Sequence, residues 1–222
     1  MNLFLLSIAL FGLTSASELH LRSKPSIGLS IDNIGKEHNA ALDYIGKRKA
    51  SSTKKTFVLA GEYLVETYGV ENVEREVENA AGIFKKSQSN ELGELLDVEE
   101  RPKAMLSFAF ETEIISRGLY KALLSVIDNI AKTGEVYDAF EQAFKLANLG
   151  KEEIKALEIG KDVAQNSEKY WKPKRDSNRR YLLPKWLAVV ICDAVGGLVG
   201  NAIGGPIGGV ILGAGASIEA AR

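Results

Sequence analysis

Apolar residues recur through the middle of the chain at the three- and four-residue intervals of a helix with one buried face. Ile34, His38, Ala41, Leu42 and Ile45 form the first stripe. Phe57, Ala60, Gly61, Leu64 and Tyr68 form the second, behind a Ser52-Thr53 pair suited to cap a helix start. Val70, Val73, Val77, Ala81 and Phe84 form a third. Pro102, tolerated in a first turn, opens the segment holding Met105, Phe108, Phe110 and Ile114. Two further stripes follow, Leu119, Leu123, Val126, Ile127 and Ile130, then Val136, Ala139, Phe140, Ala143, Phe144 and Ala147. Gly69, Gly134 and Gly150 punctuate the pattern as expected C-caps. No stretch alternates as a strand would, and no Asn-Gly or Asp-Gly hairpin turn occurs. The pattern predicts an all-α fold, an irregular bundle of about seven helices with a glycine-rich helix or helical hairpin at its C-terminal end.

The two ends depart from this periodicity. Leu3 to Leu13 is an unbroken run of apolar and small residues, followed by Thr14-Ser15-Ala16-Ser17. That order has the form of a secretory signal cut after Ala16 or Ser17. No Lys or Arg precedes Arg22, so the positive start of such a signal is the amino terminus alone. A buried N-terminal helix is the alternative. The absence of cysteine at the cut argues against a bacterial lipid anchor. The chain thus divides into a leader at 1–17, a linker at 18–30, a helical domain at 31–171, a basic aromatic linker at 172–186 and an apolar tail at 187–222.

The tail is the most unusual part. Nine of the 21 glycines fall between Gly196 and Gly215. Gly196, Gly200, Gly204 and Gly208 are spaced by four, and a second row runs Gly205, Gly209, Gly213. Such spacing puts glycines on one helical face, where a second backbone approaches closely, as in the small-xxx-small pairing of helices in lipid. No charge occurs in the 25 residues from Ala194 to Ile218, a length able to cross a bilayer. Glycine costs about 1 kcal/mol relative to alanine in a helix exposed to water, so the run needs lipid, a partner or a core. Pro206 either kinks the helix or, after Gly204-Gly205, turns it into a hairpin. These rows are expected to serve helix packing or membrane association, with a hairpin packed within the fold as the alternative.

Just before the tail, Lys169, Lys172, Lys174, Arg175, Arg179, Arg180 and Lys185 face one acid, Asp176. Trp171, Tyr181 and Trp186 lie among them. Rings beside bases suit an interface with anionic headgroups, and Trp171, Lys172, Arg179, Arg180, Lys185 and Trp186 are the expected interfacial set. A solvated linker held extended by Pro173 and Pro184 is the bland alternative. An ordinary C-terminal anchor fits poorly, because on an exported chain this basic cluster would lie on the wrong side for the positive-inside tendency.

Composition narrows the chemistry. The 222 residues are 45% hydrophobic and 26% charged, as in folded soluble proteins. A net charge of -1 offers no global attraction for nucleic acid. One cysteine excludes a disulfide framework, and two histidines leave little for zinc or a catalytic relay. Residues 56–100 carry 11 acids and 3 bases, whereas 17–55 carry 4 acids and 8 bases. The two regions either face each other or are simply solvated. His38 lies on an apolar stripe and reads as a buried core histidine. Cys192, among Val190, Ile191 and Asp193, reads as a buried inert thiol. Glu111 and Glu113 point to different faces, and Glu152 and Glu153 suit a helix first turn. No phosphate loop, nucleophile elbow or dinucleotide fingerprint occurs. Neither a catalytic residue, nor a cofactor, metal or small-molecule substrate, is indicated.

Three segments together carry a resemblance. Ile34-Gly35-Lys36-Glu37-His38-Asn39 with Leu42-Asp43-Tyr44-Ile45, then Glu168-Lys169-Tyr170-Trp171, then Asp193-Ala194-Val195-Gly196-Gly197 resemble uncharacterised exported all-helical proteins of Bacteroidota-type bacteria with a glycine-rich C-terminal tail. The resemblance implies a bacterial, exported, all-helical protein and no particular activity. The tail also resembles those of small bacteriocins in composition. The expected function is that of a non-enzymatic exported protein whose tail meets membrane lipid or another copy of itself. A bacteriocin-like toxin inserting its tail into a target membrane is the alternative, and an enzyme with an unrecognised helical site is a third.

Overall fold

A computed structural model describes residues 29–88, 96–97, 99–146, 148–172 and 185–222. The expected leader with its cleavage positions, linker residues 18–28, and Arg179 and Arg180 lie outside the described residues. A short 3-10 turn, Ile31–Asn33, leads into eight α-helices, and no strand occurs among the described residues. They are α1 Ile34–Arg48, α2 Thr53–Tyr68, α3 Glu74–Gln88, α4 Arg101–Glu111, α5 Arg117–Thr133, α6 Val136–Leu146, α7 Lys151–Trp171 and α8 Lys185–Ala221.

Local chemistry sets most boundaries. Ser52 caps α2 by accepting from the Lys55 N–H at 3.2 Å, and Ser116 caps α5 by accepting from Leu119 at 3.1 Å. Pro102 sits in the first turn of α4. Gly69 and Gly134 end α2 and α5 in the left-handed conformation, with φ of 63° and 74°. Gly150 departs from its expected role. Its φ of -72° and ψ of 165° make it the N-cap of α7, where its N–H donates to Glu153 at 2.7 Å. The third stripe also begins before its helix. Asn72, at a φ of 57°, breaks the chain between α2 and α3, while Val70 and Val73 still turn inward and are buried.

The first seven helices form a closed ring. Each packs on the next, and α7 returns to α1. Inside the ring lies α8, in contact with α1, α2, α3, α4, α5 and α7. The segment that composition sets apart as a tail is therefore the centre of the bundle. Ile34, Leu42, Phe57, Phe84, Leu123, Ile130 and Phe140 point into the same core as Val190, Leu198, Val210 and Leu212.

The central element is a hairpin. Gly204 has φ -120° and ψ 17°, and Gly205 has φ 60° and ψ -156°, a region essentially reserved for glycine. Pro206 follows as the opening residue of a second arm. The arms 185–203 and 206–221 run back along each other. A Cβ on Gly200 would collide with the Gly208 carbonyl, and one on Gly208 with the Gly200 carbonyl. A Cβ on Gly209 would lie 3.0 Å from the Gly197 oxygen, and one on Gly196 3.1 Å from the Leu212 oxygen. The four-residue row expected on one continuous face is thus broken at Gly204, and its halves face each other across the turn. The same reversal removes the single long apolar span.

The open end of the hairpin is tied down by charge. Glu219 accepts from the Thr53 and Thr56 hydroxyls, both at 2.8 Å, and from Arg222 at 2.5 Å. Arg101 donates to the Glu219 carbonyl at 2.7 Å, and Arg222 to the Ala50 carbonyl at 2.6 Å. These bonds join the end of α8 to the starts of α2 and α4.

The hairpin geometry separates two glycines of the same row. Gly200→Ala forces two backbones apart and is expected to cost about 1–3 kcal/mol, as overpacking does. Gly204 has a negative φ, and its nearest neighbour for a Cβ is the Glu76 side chain at 3.4 Å. Gly204→Ala should therefore melt close to wild type. Thermal unfolding followed by circular dichroism checks both; equal melting temperatures for the two variants contradict the packing described.

Candidate functional site: a buried polar seam against the hairpin

Polar side chains from four segments meet beside the paired glycines. The start of α1 supplies His38 and Asn39, and α7 supplies Asp162, Asn166, Ser167 and Trp171. The first arm of α8 supplies Asp193, and the second Ser217. His38, Ser167, Asp193 and Ser217 reach the interior because each takes the place of an apolar residue on a core-facing stripe, while Asn39, Asp162, Asn166 and Trp171 are half-buried at its edge. His38, Ser167, Asp193 and Ser217 are all 0% exposed. Gly35 and Gly213 make room. The Gly35 N–H donates to Asp162 at 2.8 Å, and a Cβ on Gly213 would lie 3.1 Å from the His38 ring.

The bonds form two runs that meet where His38 faces Asp193. Asn166 donates to the Asp162 carboxylate at 2.9 Å, and Asn39 donates to the Asn166 carbonyl at 2.9 Å. That second bond fixes the Asn39 amide, so its oxygen faces His38 Nδ1 at 3.0 Å. Nδ1 therefore carries the proton, and Nε2 is left as an acceptor. Nε2 lies 3.6 Å from Asp193 Oδ2, beyond hydrogen-bond reach. Ser167 donates its hydroxyl to Asp193 Oδ2. Trp171 donates its indole N–H to Ser217 Oγ at 3.1 Å, and both residues face the Asp193 carboxyl. His38 Nε2 and Asp193 Oδ1 have no hydrogen-bond partner among the described residues.

Burial dominates the electrostatics. Desolvation pushes Asp193 up to about 8, opposed by the Ser167 hydrogen bond and then by Ser217 and Trp171, which face the carboxyl. Desolvation pushes His38 down to about 4, opposed by its bond to Asn39 and by the nearby Gly213 carbonyl. At neutral pH the pair is uncharged and holds one proton beyond that on Nδ1. Burial, then the neighbouring Asp193, also raises the Cys192 thiol. That thiol is buried and stays protonated, which suits an inert core cysteine.

The arrangement is ill suited to nucleophilic catalysis. The order of contact is Ser167 to Asp193 to His38, so the hydroxyl gives its hydrogen to a carboxyl and no imidazole stands ready to take it. The seam instead fastens α1, α7 and both arms of the hairpin to one another. It also brings together three segments distant in sequence, through His38 and Asn39, Trp171, and Asp193.

The expected site residues divide between two places. Gly196, Gly200, Gly208, Gly209 and Gly213 form the inner contact of the hairpin, while Gly204 and Gly205 make its turn. Trp171, Lys172, Lys185 and Trp186 gather where α7 ends and α8 begins. Lys172 Nζ lies 5.8 Å from the Trp186 ring and 2.8 Å from Glu168. Trp171 directs its indole N–H into the fold, so its polar edge serves the seam rather than an interface. Sequence reasoning passed over Asp193, Ser167, Ser217 and Glu219. Asp193 did carry a signal, as the lone charge between Trp186 and Ile218.

Compared with protein families, curated proteins and solved structures, the chain matches none.

The paired shifts fix a pH dependence. Unfolded, the two groups release their protons near the ordinary 3.8 and 6.5, and folded near about 4 and about 8. Between pH 4 and 6.5 the raised aspartate loses stability with rising pH while the lowered histidine gains it, and the two cancel. From 6.5 to 8 only the folded state still holds the proton, so stability falls as pH rises, on the order of 1 kcal/mol per pH unit. Asp193→Asn should abolish that fall. It should also expose the histidine, so that stability now drops as pH falls from 6.5 to 4. Chemical denaturation at pH 5, 6.5 and 8 measures both effects; identical profiles for the two proteins contradict the assignment. His38→Ala should cost about 1–3 kcal/mol at pH 6.5, by loss of core packing and of its bond to Asn39.

Proposed function

We propose that the protein is an exported, non-enzymatic helical bundle that keeps an apolar, glycine-paired hairpin out of water and yields it to a membrane or to a second hairpin. The observation that carries this reading is the placement of α8. A hairpin free of charge from 194 to 218 lies within a ring of helices whose outer faces are polar. The hairpin also supplies its own close backbone contacts, which need neither water nor the ring to persist and are the contacts that hold helices together in lipid. The apolar run from Leu3 to Leu13 supports export, and the polar seam, whose inner members His38, Ser167, Asp193 and Ser217 are fully buried, supports a structural rather than a catalytic role. The gathering of Trp171, Lys172, Lys185 and Trp186 at one end, next to a segment rich in bases, supports a first encounter with anionic headgroups.

A reversible bolt between ring and hairpin tests this. A Cβ on Gly197 would lie 3.4 Å from the Val163 Cβ, close to the separation a disulfide needs. In a Val163→Cys/Gly197→Cys variant carrying Cys192→Ala, oxidation joins α7 to α8. Flotation with phosphatidylglycerol-rich vesicles is expected for the wild type and the reduced variant, and lost on oxidation. Equal flotation of oxidised and reduced protein, or none for any form, overturns the reading.

A further inference from the structure

We propose that the groove between α2 and α3 is a docking site for the basic aromatic segment, residues 173–184, of a second copy of this chain, giving head-to-tail self-association. This inference is independent of the hairpin's fate.

The groove holds about 490 Å³ and has an apolar floor of Val58, Val65, Val73 and Val77. Val65 is 42% exposed, one of the few large aliphatic side chains so open to solvent among the described residues. The helices approach closely here because Gly61 of α2 has no side chain; a Cβ there would lie 2.6 Å from Val77. The rim is acidic. Glu62 pairs with Lys55 at 3.0 Å and Glu66 with Arg48 at 3.2 Å. Glu74 and Glu78 face the same groove and pair with no cation among the described residues. An apolar floor under open carboxylates calls for a short segment with aliphatic or aromatic residues beside arginines.

The chain carries such a segment. Residues 173–184 include Lys174, Arg175, Arg179 and Arg180 against Asp176, and Arg179-Arg180 run directly into Tyr181-Leu182-Leu183. The helices that flank this segment, α7 and the first arm of α8, pack on each other, where Gly197 meets Val163, while the second arm meets α2, where Gly215 meets Phe57. The occupant is assigned to a neighbouring copy, which the mixing experiment below reads directly. Groove and segment are different surfaces, so the contact is heterologous and leaves each end open for the next copy. One short segment in one groove makes a small contact, and association is expected in the micromolar range.

Sedimentation velocity of the full chain at low salt, from about 1 to about 100 μM, reads the outcome. Wild type should move from monomer to dimers and larger species across that range. Glu74→Lys/Glu78→Lys should stay monomeric, and so should Arg179→Glu/Arg180→Glu, each with an unchanged circular dichroism spectrum and melting temperature. Mixing the two variants should restore association, because each supplies the charge the other has reversed. Association should persist in the oxidised Val163→Cys/Gly197→Cys variant, which separates it from any pairing of released hairpins. A wild type that stays monomeric throughout, variants that associate as it does, or a mixture that remains monomeric overturns the proposal.

Discussion

Two backbones touch at Gly200 and Gly208 with no side chain between them, and the size of everything around them follows from that contact. Helices that meet through side chains lie 8–10 Å apart. Arms that meet through glycine approach more closely, which makes a slender pillar with its valines, leucines and isoleucines turned outward. A ring of seven short helices closes around a pillar of that girth. Alanine or leucine along the inner rows would thicken it and open the ring. The rows also explain why the hairpin is uniformly apolar: its inner face is bare backbone and its outer face is buried by the ring, so no side needs to be polar.

Glycine contacts alone would leave the register open. With glycines spaced by four, a slip of four residues sets glycine against glycine again. Asp193 removes that freedom. In the observed register its carboxyl meets Ser167 and faces Ser217, with Trp171 bonded to Ser217. Slipped by four, it would face Gly213 and lose the serine, and an unsatisfied buried carboxyl is costly. Glu219 acts in the same sense at the open end, where only one register lets it meet Thr53 and Thr56 of α2 together. The buried pair of His38 and Asp193 is thus a device for specificity more than for stability, consistent with a 3.6 Å separation that gains little attraction.

The helical stripes were legible because each ring helix has one buried face, and a period of 3.6 records that directly. Gly69 and Gly134 were legible as stops because left-handed closure favours glycine. Gly150 misled because glycine also suits an N-cap, and only the dihedrals separate the two roles. The four-residue glycine row was legible as a packing face, but not its partner. A continuous helix and a hairpin share the same spacing, and the difference rests on the backbone at Gly204 and Gly205. The seam was hidden for another reason. His38 is read as core from its own stripe, yet its neighbours are 129 positions away at Ser167 and 155 away at Asp193. Such convergence is a property of the ring closing, which no local pattern encodes. Asp193 alone announced itself, as a charge in a run that otherwise has none.

The ring is fastened unevenly. On one side α1 and α7 hold the hairpin through the seam, and α2 and α4 grip its open end through Glu219. Toward the turn, α3 meets the hairpin through Ala80 and Ile83 against Ile203 and Leu212, with a gap of only about 10 Å³ between them. Contacts of that kind are non-directional and give way without stranding a buried polar group, whereas parting α7 from the hairpin breaks the Ser167–Asp193 and Trp171–Ser217 bonds together. Local opening takes the route with the fewest buried partners to abandon. The turn at Gly204-Gly205 and the α3 side are that route, so a hairpin leaving this bundle would lead with its turn while its open end and the α1–α7 side held.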